Sequence, residues 1–285
     1  MSVDQIKLER LVDKMPTFPQ SVHRVIQICS DINFSTKELI TVIEHDPIIT
    51  LKTLKLVNSA YFGLSKKITS IKHAVVYIGA NTIKNVAMAI TTMGILPKEE
   101  HSGINRNSFL LHCLTTATLA KLIAKGRRVP ESELTNYFIA GLLHDIGVIL
   151  AAQLVKEQYR EVITLVNTEG IPLHLAERRV LDFDHAEMSA ILVEKWKFPE
   201  NLINCIRNHH SLHEMEDPPL LERVIFVANQ VAKSLDQDQD GHQLSMIEPM
   251  PDHIHQWLGM TLEEVPESIS DLPTELVKAE AFLTL

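Results

Sequence analysis

The sequence predicts an all-α protein. Apolar residues recur at helical spacing along the chain, between regularly placed capping residues, prolines and glycines. Asn-Gly and Asp-Gly are typical of tight hairpin turns, and neither dipeptide joins two alternating apolar runs in this sequence. Asp240-Gly241 lies in a polar, acidic stretch instead. The chain has 285 residues, of which 45% are apolar and 22% charged, so it is long enough to bury a sizeable core.

Capping motifs mark the helices of the first hundred residues. Ser35 and Glu38 have the spacing of a capping box, in which two otherwise unbonded amides are satisfied. Asp46 precedes a proline at the first helical position, where the missing N–H has no cost. Ser70 caps a helix that ends at Gly79, after a predicted loop. Further helices are predicted over 3–14, 19–30 and 81–93.

The second half of the chain continues the helical pattern. The segment 94–107 contains proline, glycine and charged residues and is the best candidate boundary. We therefore divide the chain into an N-terminal helical bundle (1–97), a helical domain (98–235) and a C-terminal helical tail after an acidic linker (236–285). Helices are predicted over 108–125, 132–153, 155–169, 172–181, 185–197, 200–209, 219–234, 252–259 and 272–283.

Charge and composition exclude several classes of function. The net charge is −9, and the first hundred residues hold 12 Lys and Arg against 9 Asp and Glu. A nucleic-acid partner is not expected, because phosphate binding needs clustered basic residues. The sequence lacks a signal peptide and a long uncharged apolar run, so we expect a cytoplasmic protein without a membrane span. Cys29, Cys113 and Cys205 are predicted to be reduced, buried thiols.

The segment 141–148, Gly-Leu-Leu-His-Asp-Ile-Gly-Val, carries the strongest signal for chemistry. Apolar residues flank His144 and Asp145 on both sides, which is typical of a buried helix. A buried carboxylate is costly unless it is paired or bound to a metal ion. We therefore expect these two side chains to converge on an ion or on polar neighbours from other helices. Gly147 is expected to let another helix approach closely.

Other polar residues interrupt apolar helices elsewhere in the chain. His112 lies in the middle of a predicted helix, and Asn229 lies in another apolar stripe. His185 begins a helix, and His209 and His210 end one. The order of these residues around the His-Asp pair favours a shared site.

Each of these residues also has a simpler interpretation. His112 alone is compatible with a hydrogen-bonded core residue, and His185 with a solvated helix start. His209 and His210 are compatible with residues that complement the negative end of a helix dipole. His144 with Asp145 is compatible with a structural ion pair.

At these residues the chain resembles the HD superfamily of metal-dependent phosphohydrolases. The superfamily pattern is a His, a His-Asp pair and a distant Asp, all on helices around one or two divalent ions. His112, His144 and Asp145 match the first three positions, and Asn229 occupies the place of the last Asp. The resemblance implies a divalent metal, without distinguishing Fe, Mn, Mg, Ni and Zn, with His144 and Asp145 as the catalytic candidates.

A closer resemblance, over about residues 10–235, is to the HDOD family, a set of regulatory modules in bacterial signalling. It implies an N-terminal helical bundle packed on an HD-like helical domain, and a protein partner or a small anionic ligand. Its N-terminal motif around Asn58 is open to a structural role, in which Asn58 caps a helix end and Tyr61 and Phe62 pack the turn, or to a partner-binding role. The matching segments are 16–20, 45–47, 56–63, 68–71 and 206–210.

The departures from these families bear on activity. Asn229 is neutral where the superfamily has a carboxylate, and Val148 stands where related cyclic-dinucleotide phosphodiesterases have a lysine. No Gly-Tyr-Pro follows His210, so hydrolysis of cyclic di-GMP is not expected. We favour a signalling module with a partly retained pocket. The alternative is a divalent-metal phosphohydrolase, in which His185, His209 and His210 hold a second ion or bind phosphate.

Overall fold

The computed structural model describes most of the chain, and every regular element in the described part is helical, as predicted. Most of the predicted helices over 3–14 and 19–30, most of the boundary over 94–107 and most of the acidic linker lie outside the described residues. The described residues are 11, 24, 28, 35–58, 64, 66–95, 104–236 and 246–280.

The helices follow one another with short connections. A 3₁₀ turn, Leu212–Glu214, separates two of them. In chain order they are α1 Thr36–Glu44, α2 Pro47–Val57, α3 Ile71–Ile78, α4 Ala80–Ile95, α5 Arg106–Gly126, α6 Glu131–Leu143, α7 Ile146–Leu154, α8 Lys156–Glu169, α9 Leu173–Leu181, α10 His185–Lys195, α11 Glu200–Asn208, α12 Leu220–Asp236, α13 Asp252–Leu258, α14 Glu264–Ser268 and α15 Leu272–Glu280.

The predicted caps of the N-terminal helices are present. Oγ of Ser35 accepts from the amide of Glu38 at 3.3 Å, and Oγ of Ser70 accepts from the amide of His73 at 3.2 Å. The Asp46 carboxylate accepts from two amides of the first turn of α2. The capping box is only half formed, because the Glu38 carboxylate accepts from an arginine side chain instead.

Asn58 connects the end of α2 to the following loop. Its Nδ2 donates to the carbonyls of Leu54 and Ile68, both at 2.7 Å, and its Oδ1 accepts from the amide of Ile68 at 2.6 Å. The capping role predicted for Asn58 is thus present, whereas Tyr61 and Phe62 lie outside the described residues.

The helix predicted over 132–153 is wrong as a single element, because it is interrupted at His144 and Asp145. Nδ1 of His144 lies 2.7 Å from the carbonyl of Gly141, which an uninterrupted helix would pair with the amide of Asp145. The amide of Gly147 likewise leaves the helical pattern and donates to Oγ of Ser189 at 2.8 Å. The break therefore turns the His-Asp pair out of the regular helix and toward neighbouring helices.

The stretch Glu131–Leu154, α6 and α7 together, is long and apolar enough to cross a membrane by length and composition. Its most apolar window of 18 residues has a mean hydropathy of 1.6, but 89% of that window is buried inside the protein. Because the other helices cover it, this stretch serves as the centre of the core.

Two glycines allow helices to approach α6 and α7 closely. A Cβ atom on Gly141 would lie 2.6 Å from Cα of Ala117 on α5. A Cβ atom on Gly147 would lie 2.2 Å from the carbonyl oxygen of His185, so the close approach predicted at Gly147 is confirmed. These contacts bring α5 and α10, which carry two of the candidate histidines, against the His-Asp pair.

One apolar core extends across the three predicted segments, from Leu11 to Leu272. Residues of the C-terminal segment are part of this core, and α15 packs against α5. The short helix α14 was not predicted. Cys113 and Cys205 are buried and form no disulfide with another described residue, whereas Cys29 lies outside the described residues.

Replacing Gly141 with alanine should destabilise the protein by about 1–3 kcal/mol, because the added methyl group overlaps the backbone of α5. Urea unfolding measures the change. Gly126→Ala is the matched control, because no atom lies within 4 Å of its Cβ position, and it should not lower stability. Equal stability of the two variants would contradict the close packing of α5 on α6.

Candidate metal centre

Four histidine side chains from separate parts of the chain surround the carboxylate of Asp145. Oδ2 of Asp145 lies 3.4 Å from Nε2 of His112 and 3.1 Å from Nε2 of His144. Oδ1 lies 3.2 Å from Nε2 of both His185 and His209. All five residues are buried. The solvated interpretation of His185 is therefore wrong, and the structure brings together these five of the predicted site residues.

Backbone carbonyls fix the orientation of two of these rings. Nδ1 of His144 lies 2.7 Å from the carbonyl of Gly141, and Nδ1 of His209 lies 2.7 Å from the carbonyl of Ile206. A carbonyl only accepts, so each Nδ1 carries the proton and donates. In the neutral form, each ring therefore presents the lone pair of Nε2 to Asp145.

A buried carboxylate fixes the third ring. Oε2 of Glu177 accepts from the amide and from Nδ1 of His185, at 2.8 Å and 2.6 Å, while Oε1 accepts from the hydroxyl of Tyr159 at 2.6 Å. Nε2 of His185 is thereby directed at Asp145. A carboxylate that orients an imidazole through Nδ1 is typical of the environment of metal-binding histidines.

In this arrangement, lone pairs on histidine Nε2 atoms face the carboxylate oxygens of Asp145. Within the described part of the chain, Nε2 of His144, Nε2 of His209 and Oδ1 of Asp145 form no hydrogen bond although they are buried. Buried polar atoms without partners are costly, and a cation between them removes the cost. The residues present therefore fit a divalent metal ion.

The pKa values of the site have clear physical causes. Burial lowers the pKa of His144 to about 4, more than the neighbouring carboxylate raises it. Burial opposes ionisation of Asp145, but the charges of His144 and His185 hold its pKa well below the usual range. Burial also opposes protonation of His185, but Glu177 and Asp145 raise its pKa well above the usual value. The cluster thus attracts a cation, whether a proton or a metal ion.

His210 connects this cluster to a second one. Nε2 of His210 lies 2.8 Å from Nε2 of His185, while its Nδ1 lies 2.9 Å from Oε1 of Glu248. The His174 ring stacks on the His210 ring with centroids 4.1 Å apart. Burial and the charge of His209 hold the pKa of His210 well below the usual value. The structure therefore places His210 between the centre at Asp145 and the C-terminal segment.

Asn229 lies fully buried on α12, which packs against α5. Within the described part of the chain, neither Oδ1 nor Nδ2 of its amide forms a hydrogen bond. Its assignment as a metal ligand stays a prediction.

Three residues of the two clusters were missed in the sequence. Glu177 lies in the apolar stripe of α9, next to Ala176 and four residues before Leu181, and a buried carboxylate in such a stripe is a usable signal. His174 precedes Glu177 on the same helix, with no motif around it. Glu248 lies outside any helix, and no local pattern marks it.

An all-helical core with a His-Asp pair at a helix break, ringed by histidines, defines the class of HD-type helical proteins. Within this class, the chain belongs to the HDOD domain family, whose sequence pattern matches residues 15–212.

Solved structures share this fold over nearly the whole chain. One, from Shewanella amazonensis SB2B, is named as a candidate phosphohydrolase; it is 23% identical, with a TM-score of 0.73 and 97% of each chain covered. Another, from Marinobacter aquaeolei VT8, is named as a candidate signal transduction protein; it is 19% identical, with a TM-score of 0.71, and the match covers 99% of this chain and 66% of the other. At these identities the similarity shows the fold.

A sequence relative extends beyond the region shared with this chain. It is an uncharacterised protein of Treponema pallidum (strain Nichols), 27% identical over 235 residues. The match covers 82% of this chain and 45% of the relative, so the chain spans about half the length of that protein.

Tyr159→Phe should destabilise the protein by about 1–3 kcal/mol, because it removes the hydroxyl that donates to the buried carboxylate of Glu177. Chemical unfolding measures the change. Tyr77→Phe is the matched control, because Tyr77 is 59% exposed and should change stability by less than about 0.5 kcal/mol. A Tyr159→Phe variant as stable as the control would contradict the hydrogen-bond network behind His185.

Proposed function

We propose that this chain is a cytoplasmic regulatory module of the HDOD family that holds a divalent metal ion at Asp145 and acts by binding rather than by turnover. The observation that carries the proposal is the set of imidazole nitrogens directed at one buried carboxylate. Backbone carbonyls and Glu177 hold three of these rings in the orientation that suits a metal ion.

The residues proposed to hold the ion are Asp145 and the histidines around it, His112, His144, His185 and His209, with Asn229 as a further candidate. An imidazole-rich set with one carboxylate suits Fe, Mn, Ni or Zn better than Mg, which prefers oxygen ligands. When bound, the ion supplies positive charge that attracts an anionic ligand.

Three features favour regulation over catalysis. The carboxylate that the HD pattern has at its last position is replaced by the neutral Asn229, and the lysine of the related phosphodiesterases is replaced by Val148. The Marinobacter protein with the same fold is named as a candidate signal transduction protein. These features support a pocket retained for binding.

Exposed apolar side chains in the N-terminal region support a protein partner. Ile48 and Leu51 on α2 are each 67% exposed, and Val76 and Tyr77 on α3 are 74% and 59% exposed. Helices α2 and α3 pack together, so these exposed side chains lie on neighbouring helices. Large exposed apolar residues of this kind are typical of binding surfaces.

The metal content of the purified protein tests the proposal. Wild-type protein prepared without chelator should contain a stoichiometric transition metal, and His144→Ala should bind it at least about tenfold more weakly, because a ligand is lost. His213→Ala is the matched control, because its side chain is exposed and lies outside the cluster. Elemental analysis and competition with a metal indicator give the result. Wild-type protein that takes up no metal even on reconstitution would refute the proposal.

The alternative is a divalent-metal phosphohydrolase. It is favoured by one observation: His185, His209 and His210 lie close to one oxygen of Asp145, where a second ion or a phosphate group could be held. In that case the metal would lower the pKa of bound water and polarise a phosphoryl oxygen.

The two functions differ in turnover. Wild-type protein with added Mn²⁺ or Fe²⁺ should release phosphate from nucleotides no faster than His144→Ala, because the proposed pocket binds without turnover. A phosphate-release assay on both proteins measures this. Several turnovers per second in the wild type, lost in His144→Ala, would replace the regulatory proposal by the enzymatic one.

A further inference from the structure

Glu248 lies in the C-terminal segment, outside any helix, yet only 8% of its surface is exposed. Its Oε1 accepts from Nζ of Lys233 at 2.7 Å and from Nε2 of Gln230 at 3.1 Å, and Oε1 and Oε2 lie 2.9 Å and 3.0 Å from Nδ1 of His210. The amide of Glu248 also donates to Oε1 of Gln230 at 2.7 Å. One carboxylate therefore receives donors from three side chains.

The chemistry of these side chains suits an anion better than a metal ion. An ammonium group and an amide N–H have no lone pair to offer a metal, and both point at the carboxylate. His174, Glu248 and His210 have ligand atoms close enough to share an ion, but Nζ of Lys233 already lies at that carboxylate. The group that suits these donors is negatively charged and has several acceptor oxygens.

The anion site opens on the candidate metal centre. Lys233, His174 and His210 line a small cavity together with Asp145 and His185. An anion held by Lys233 and His210 would therefore lie beside the imidazole and carboxylate groups of the centre. Glu248 occupies this position with a carboxylate from the chain itself.

We propose that Lys233, Gln230 and His210 form a subsite for the phosphate group of a small phosphate-bearing ligand, and that Glu248 fills it as an internal competitor. A phosphate group matches a carboxylate in charge and in its acceptor oxygens, and charge-assisted hydrogen bonds are the strong ones. The ligand binds when the carboxylate of Glu248 leaves its hydrogen bonds with Lys233, Gln230 and His210. This inference deepens the ligand-binding role proposed above and rests on it.

Titration of the full-length protein with inorganic phosphate in a calorimeter tests the subsite. Glu248→Ala should bind phosphate about ten- to a hundredfold more tightly than the wild type, because the competing charge-assisted bonds are removed. Adding Lys233→Met to Glu248→Ala should abolish that gain, because the cation that holds the anion is lost. Glu267→Ala is the matched control, since its side chain is exposed, and it should bind phosphate as the wild type does.

A second variant guards against a folding defect. If Glu248→Ala fails to unfold cooperatively, Glu248→Gln keeps the size and an acceptor oxygen but removes the charge, and it should show a smaller gain in phosphate affinity. Adenosine 5′-monophosphate, titrated in parallel, distinguishes a phosphate ester from free phosphate as the preferred ligand. Equal phosphate affinity in the wild type and both Glu248 variants, or a gain that Lys233→Met leaves intact, overturns the inference.

Metal analysis of the same samples separates this inference from the proposed function. Glu248→Ala should keep the full metal content of the wild type. Loss of an equivalent of metal in Glu248→Ala would make Glu248 a metal ligand and overturn the subsite. If metal is present throughout and no variant gains phosphate affinity, the subsite fails while the metal centre stands. If the wild type takes up no metal, the proposed function fails first.

Discussion

The burial of one negative charge, the carboxylate of Asp145, governs the arrangement of the core. A lone ionised carboxylate inside an apolar core is costly, so compensating groups have to come from helices far apart in the sequence. Gly141 and Gly147 provide the room, because each admits the backbone of a neighbouring element. The interruption between α6 and α7 releases His144 and Asp145 from regular helical geometry, so their side chains can turn toward the neighbouring helices.

The histidines around Asp145 are linked outward in two directions. In one direction, Nδ1 of His185 contacts the carboxylate of Glu177, which also accepts from the hydroxyl of Tyr159. These hydrogen bonds lie within the core. His185 also faces His210, which leads to Glu248 in the C-terminal segment. The Nε2 atoms of His185 and His210 lie 2.8 Å apart. A continuous series of side-chain contacts therefore joins Asp145 to the C-terminal segment.

Local patterns in the sequence predicted the helices and the central residues. Caps such as those at Ser35, Asp46 and Ser70 act over a few residues, and polar residues in apolar helices marked the His-Asp pair. The helix break escaped prediction because it depends on bonds from His144 to Gly141 and from Gly147 to Ser189, which periodicity does not show. Glu248 was also missed, because 38 residues separate it from its partner His210 and no local pattern joins the two.

In the proposed metal site, Asn229 would supply a neutral amide where the HD pattern has a carboxylate. With a carboxylate there, as in the HD pattern, two negative charges would balance a divalent ion; with Asn229, Asp145 is the negative group among the proposed ligands. An ion held by this set would keep part of its positive charge, and at low effective dielectric that charge attracts an anion strongly. Lys233 adds a second cation at the edge of the same cavity. The donors from Lys233, Gln230 and His210 compensate the charge of the carboxylate that the C-terminal segment buries there. Under the proposed function, the charge of the ion would add to that of Lys233 and would suit the pocket to anion binding.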